Sequence, residues 1–217
     1  SMKDRLLAEL TEQGHEVVLS DLYAMGFNPV ASAKDFPERA NEDYLVYAME
    51  QRHAAKNGTL PADIAQELDK VKACDLLILN FPLYWFSVPA ILKGWIDRVF
   101  LSGVMYGGRN FYDHGRMVGK KAWVTFTLGG RDHMFGPGAV HPPIETVLTP
   151  LLRGSLGYVG FDVYEPFAAY HVPYLPQEER EKIMDEFSQA IADLPERRQL
   201  TFPKLADFDS QMRPLNH

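Results

Sequence analysis

Only one cysteine, Cys74, stands among the 217 residues. A lone thiol can close neither an internal disulfide nor a zinc cage, so the chain reads as a resident of a reducing cytoplasm. Long apolar runs are also missing. The longest stretch, Leu76 to Leu92, is interrupted by Asn80, Pro82, Ser87 and Pro89, whereas a membrane-spanning helix needs about 20 predominantly apolar residues. No membrane segment is expected, and, the N-terminus being polar and helical, no secretory signal either. Positive charge is scarce: 22 Lys+Arg against 29 Asp+Glu leave a formal net charge of −7. That balance argues against a protein built to grip nucleic acid or an anionic membrane. Walker-type phosphate loops, a His-Glu-x-x-His helix and a Gly-x-Ser-x-Gly elbow are absent, and the histidines show no pairing that suggests a metal. Repeats and low-complexity tracts are absent as well.

Core material is plentiful. Apolar residues make up 46% of the chain, enough for one sizeable core, and the length points to one domain over 1–194 with a polar arm over 195–217. Met2, Leu6, Leu7 and Leu10 form one stripe of a helix over 2–13 that Gly14 stops. Val17-Val18-Leu19 reads as a short strand. Further helices are expected over 41–56 and where Ile64, Leu68 and Val71 recur, from Val88 to Phe100, over 144–156, and over 177–194. The run Asp75 to Asn80 lacks polar alternation and suits a parallel strand buried on both faces. Strands are also expected over 122–128 and 162–170. This alternation predicts an α/β fold, a doubly wound parallel sheet covered on both faces. Ligands of such sheets sit beyond the carboxyl ends of the strands.

Two loops at those ends carry the chemistry. The first holds Pro82, Leu83, Tyr84, Trp85, Phe86, Ser87 and Pro89. Ser87 as a helix cap and Pro89 in the first turn are accounted for by local structure. The three adjacent aromatics have two readings, a wall for a flat ring system or simple packing. The second loop holds Thr127, Leu128, Gly129 and Gly130. It reads either as a plain turn or as backbone that a ligand can approach, with N–H donors placed for the negative edge of a reduced flavin. His141, ahead of the 144–156 helix, reads either as a surface residue or as a functional one.

The stretches Asp21 to Pro29 (DLYAMGFNP), Phe81 to Phe86 (FPLYWF), Val88 to Trp95 (VPAILKGW), Arg98-Val99-Phe100 and Gly129-Gly130 closely resemble the NAD(P)H:quinone oxidoreductases of the DT-diaphorase type, over about Met2 to Phe187. The resemblance implies a flavodoxin-like fold, a tightly bound FAD rather than FMN, and a homodimer with its active sites at the subunit interface. It also implies hydride transfer from NAD(P)H to flavin and then to a quinone, both carriers using one pocket in turn, with no metal. By position, Pro82, Leu83, Tyr84, Trp85 and Phe86 would line the ring system, with Trp85 and Phe86 also touching substrate. Thr127, Leu128, Gly129 and Gly130 would bond its pyrimidine edge, the two glycines also facing substrate. His141 matches the family's active-site histidine, and Tyr106 and Tyr158 match aromatics that the partner subunit contributes.

Three departures stand out. Phe135 replaces a tyrosine that works with the histidine, which removes a proton relay but still lets the ring pack beside the cofactor. Gly108 replaces a second pocket tyrosine of the mammalian enzymes, which would open the mouth and relax quinone selectivity. The family's first strand and its phosphate-binding loop have no counterpart ahead of the first helix. The expectation is therefore a flavodoxin-like sheet with its first strand missing, an unpartnered Val17–Leu19 strand and a chain cut from a longer parent, unless Ser1-Met2 is a cloning remnant. A chain so cut would bind no cofactor in the extreme case. The same fold also suits azo-dye and nitroaromatic reductases, and regulatory subunits of potassium-efflux systems. For the latter, the arm, with Leu200, Phe202 and Phe208, would dock a membrane partner.

Overall fold

The computed structural model describes residues 1–215. Leu76–Pro82 (β1) and Lys121–Thr127 (β2) run parallel, Leu77 opposite Ala122 and Phe81 opposite Phe126. On the other side of β2, Asp162–Val163 (β3) and Phe167–Ala169 (β4) pair with it, again in parallel. Side chains alternate across such a sheet, and both faces here are apolar. Leu76, Ile78 and Trp123 pack under the helices Met2–Glu12 (α1) and Gln177–Ala192 (α7), through Leu6, Leu10, Phe187 and Ile191. Leu77, Leu79, Phe81, Val124 and Phe126 pack with Ala62–Ala73 (α3) and Ala90–Val99 (α4), through Leu68, Val71, Leu92 and Ile96. Helices thus cover both faces of an open parallel sheet, the flavodoxin-like α/β arrangement.

Four elements differ from the sequence expectation. Val17-Val18-Leu19 joins no ladder among the described residues, and Val18 and Leu19 are 62% and 46% exposed. Among the described residues it has no neighbour, as expected where the family's first strand has no counterpart, and without one for its N–H and C=O groups it forms no strand. The helix expected from residue 41 begins at Tyr47 (Tyr47–Asn57, α2). The reason is local: the Asn41 side chain accepts from the N–H groups of Asp43 and Tyr44, and the buried Glu50 carboxylate takes those of Ala40 and Asn41. The 162–170 strand is split into β3 and β4. Between them Glu165 donates its N–H to Arg198 O at 2.8 Å, and the Arg197 guanidinium donates to the carbonyls of Glu165 and Pro166. The 144–156 helix breaks into Ile144–Val147 (α5), Thr149–Leu151 (α6) and a π-turn over Leu152–Gly157. Pro150 supplies no N–H to that run. At Gly157 a Cβ would come within 2.7 Å of the Phe202 ring, so only glycine lets the arm lie there.

The arm folds back on its own chain. Leu200 donates its N–H to Val163 O at 2.8 Å, Leu200 and Phe202 pack against the core, and the buried Leu205 donates to Asp113 Oδ1. The apolar residues considered for docking a membrane partner are therefore largely engaged internally, and the arm's last two residues, 216–217, lie outside the described part. No helix among the described residues is long and apolar enough to cross a membrane.

The loop from Leu22 to Val46 is held by one buried cation. Arg98, with 3% of its side chain exposed, bonds Asp35 through Nε and Nη2, and Asp63 and Asn28 O through Nη1. Burial alone would raise the Asp35 carboxyl, but the Arg98 guanidinium and the Tyr47 hydroxyl outweigh it and hold the group below its ordinary range.

Candidate active site

The carboxyl ends of β1 and β2 open into one cleft. Leu83 N–H donates to Thr127 O at 2.8 Å, which carries the ladder one residue past β1. Tyr84 and Ser87 then exchange backbone bonds of 3.0 and 2.9 Å, closing a two-residue turn. Trp85 and Phe86 occupy its centre with φ of 49° and 60°. Left-handed backbone at both central positions ordinarily takes Asn-Gly, so each aromatic costs about 1–2 kcal/mol there. The rings do not pack the core: Trp85 is 96% exposed, Tyr84 56% and Phe86 46%. Ser87 caps no helix; it closes the turn, and Pro89 precedes α4 without a side-chain cap.

Leu83, Tyr84, Trp85, Phe86, Leu128, Gly129, Gly130, Phe135 and His141 line a cleft of about 540 Å³. A second lobe of about 220 Å³ adjoins it through Leu83, Tyr84, Leu128 and Gly129. That lobe adds Pro82 and Thr127, together with Val172, Pro173 and Arg180. Asn80 Nδ2 donates to Thr125 Oγ1 at 2.7 Å, a polar link between the two strands just before their ends.

The N–H groups of Gly129 and Gly130 donate to no acceptor among the described residues. A Cβ at Gly130 would sit 2.8 Å from Phe135 Cε2, so a side chain there would press into the ring that lines the cleft. His141 is fixed by its backbone, donating to Met134 O at 2.9 Å and accepting from Gly136 N at 3.1 Å. Its imidazole packs against both Phe86 and Phe135, each ring centroid 5.0 Å away. Neither imidazole nitrogen bonds a described residue, so both are available to a ligand. Behind Phe135, burial and then the nearby Asp132 raise the Tyr170 hydroxyl, which keeps it protonated.

Tyr106 and Tyr158 lie elsewhere. Their rings are 5.6 Å apart and join Phe111, stacked on Tyr158 at 5.5 Å, and Tyr112. They reach neither lobe of this chain's own cleft. Gly108 stands beside them with φ 60° and open space where a side chain would be. Arg180, His171 and Tyr174 were not singled out in the sequence. The first lines the second lobe. The other two follow the end of β4, and a Cβ at Gly129 would lie 3.4 Å from Tyr174 Cε2. Their signal is positional, since a strand ending beside β2 must deliver its next residues to the same rim.

Exposed flat rings, two unpaired amides, a free imidazole and a guanidinium at one rim suit a planar, electron-rich ligand with an anionic tail. Known proteins share this sequence and fold. Residues 1–194 match the family model described as a flavodoxin-like fold. NAD(P)H dehydrogenase (quinone) 1 of Rattus norvegicus is 38% identical over 210 residues, 96% of this chain and 77% of that protein. Ribosyldihydronicotinamide dehydrogenase (quinone) of Homo sapiens is 40% identical over 192 residues, 88% and 83% of the two chains. Among solved structures, a candidate quinone reductase from Klebsiella pneumoniae superposes with a TM-score of 0.93 at 30% identity, covering 98% of this chain and 86% of its own.

Proposed function

The chain belongs to the flavodoxin-like family of the NAD(P)H:quinone dehydrogenases, and on that premise we propose that its cleft is the flavin and substrate site of a ping-pong NAD(P)H:quinone oxidoreductase. The cofactor in this reading is FAD, and a bound flavin supplies the ring that accepts and returns hydride. The observation that carries the reading is the exposed Trp85-Phe86 turn facing the unpaired amides of Gly129 and Gly130 across one cleft.

The residues divide the work by their chemistry. Trp85 and Phe86 offer apolar faces against which a flat ring excludes water. The Gly129 and Gly130 N–H groups stabilise negative charge at the ring edge, and they are held in place before that charge develops. His141 can donate from an imidazole nitrogen to an anionic oxygen in the cleft, whereas Phe135 has no proton to pass on. Arg180 in the second lobe gives a phosphate its counter-charge and extends the site beyond the ring, as FAD requires. NAD(P)H and quinone occupy the main lobe in turn.

A homodimer is part of the proposal. Tyr44, Leu45, Val46 and Met49 form an exposed apolar run at the start of α2. Arg52 of the same helix bonds Ser102, at the base of the loop that carries Tyr106. A partner covering this side would bury the run and bring Tyr106 and Tyr158 to a neighbouring cleft. The test is the visible absorption spectrum before and after anaerobic NAD(P)H. A flavin band that bleaches and returns on adding quinone is expected. A protein that stays colourless with added FAD refutes the proposal.

A further inference from the structure

His171 has no part in the chemistry so far, yet it grips the glycine loop. It follows β4 with left-handed backbone, φ 58°, a region that histidine enters more readily than most residues. Three consecutive carbonyls of the β2 loop turn towards it. Val172 N–H donates to Leu128 O at 3.2 Å and His171 N–H to Gly130 O at 2.9 Å. Between them, the imidazole Nδ1 lies 2.8 Å from Gly129 O. A carbonyl only accepts, so Nδ1 carries the hydrogen and donates.

In a trans peptide the N–H points opposite to the C=O of the same unit. Strand β2 lies between β1 and β4. Holding the Leu128 and Gly129 carbonyls on the β4 side therefore aims the Gly129 and Gly130 N–H groups back towards β1, where the cleft lies. Backbone bonds secure the two outer carbonyls whatever the side chain at 171. The middle one is held by the imidazole alone, and glycine on both sides of that peptide leaves it free to turn. Tyr174, with its ring centroid 5.0 Å from the imidazole, braces the ring from the exposed side.

We propose that His171 is a positioning residue: its Nδ1–H fixes the Gly129–Gly130 peptide so that the Gly130 N–H donates to the electron-rich edge of a flavin in the cleft. The assignment rests on the flavin reading of that cleft. It gives the side chain at 171 control over how strongly the site prefers reduced to oxidised cofactor.

Two variants separate the donor from the fold. His171→Gly removes the ring and accepts φ 58° without strain. His171→Asn also tolerates left-handed backbone, and its Nδ2 stands the same number of bonds from Cα as the imidazole Nδ1. The flavin-loaded His171→Gly protein should lose about tenfold in its preference for reduced over oxidised flavin, a fall of about 30 mV in the two-electron midpoint potential. His171→Asn should recover most of that loss. An unchanged potential in His171→Gly, or an equal loss in both variants, overturns the proposal. Nitrogen NMR of the flavin-free wild type gives a second readout, with His171 expected as the Nδ1–H tautomer. Finding the hydrogen on Nε2 overturns the assignment whatever flavin does. A wild type that takes up no flavin overturns the parent reading, which is distinct from a loaded protein whose potential ignores residue 171.

Discussion

Gly129 and Gly130 are neighbours of the same type, yet their surroundings predict opposite responses to one methyl group. At Gly129 a Cβ meets only Tyr174 Cε2 at 3.4 Å, which is ordinary contact and leaves the ring where it is. At Gly130 it meets Phe135 Cε2 at 2.8 Å and Cζ at 3.3 Å. Carbon–carbon contacts are comfortable at about 3.5–4.0 Å, so the Phe135 ring must retreat by roughly 0.7 Å. Its way out runs towards His141 or Tyr170, at centroid distances of 5.0 and 5.9 Å. Overpacking of this kind costs about 1–3 kcal/mol. Because Phe135 lines the cleft, that cost falls on ligand binding, which converts to roughly 5- to 150-fold in the flavin dissociation constant. Gly129→Ala should change it by no more than about threefold. Titrating each purified variant with FAD by fluorescence quenching measures the difference, alongside the thermal midpoint of the flavin-free protein. Equal losses in the two variants, or a larger loss at Gly129, would refute the reasoning.

The exposed turn gives a prediction of the opposite kind. Trp85→Ala should leave the thermal midpoint of the flavin-free protein unchanged or slightly raised. Flavin binding should weaken about thirtyfold, since one face of a ring that buries roughly 200 Å² contributes about 2 kcal/mol; a fall in midpoint with binding intact would return Trp85 to the core. His141→Ala should slow flavin reduction by NAD(P)H about a hundredfold while shifting flavin affinity less than about threefold, because a free donor acts on developing charge. Stopped-flow reduction checks this, and an unchanged rate with lost flavin assigns His141 the wrong role. Around Arg98, Asp35→Asn should cost about 3–5 kcal/mol and Asp63→Asn under about 1 kcal/mol, since Asp35 is buried and 43% of the Asp63 side chain is exposed. Asp35 titrates below its ordinary value of 3.8 when folded. Its contribution to stability is therefore full above that pH and is lost as pH falls through the folded value, and Asp35→Asn should flatten the acid limb of a stability–pH curve.

The sheet was legible wherever a strand is apolar on both faces, as at Leu76 to Leu79 and Ala122 to Phe126. Pairing was less so. Val17-Val18-Leu19 has strand composition, and its want of a partner was legible only through the family resemblance, because composition does not report a strand's neighbour. The division of 162–170 depends on Arg197 and Arg198, about thirty residues away, taking the carbonyl and amide of Glu165. Nine residues read from two loops, a phenylalanine and a histidine do meet in one cleft. Tyr106 and Tyr158 meet each other instead. His171 and Arg180 escaped notice because nothing around them in sequence is unusual. Their relevance comes from β4 ending, and α7 beginning, on the rim that β1 and β2 form.

The Trp85-Phe86 turn has a consequence for anyone who sets out to improve this protein. Its backbone asks for Asn-Gly, and a library screened for heat resistance would find that exchange rewarding, because it relieves two left-handed aromatics and removes greasy surface together. The survivors would be sturdier, more soluble and blind to flat ligands. A thermal screen run without a binding filter therefore selects against the cleft wall, and enrichment of small polar residues at 85 and 86 would mark the drift before any assay of turnover did.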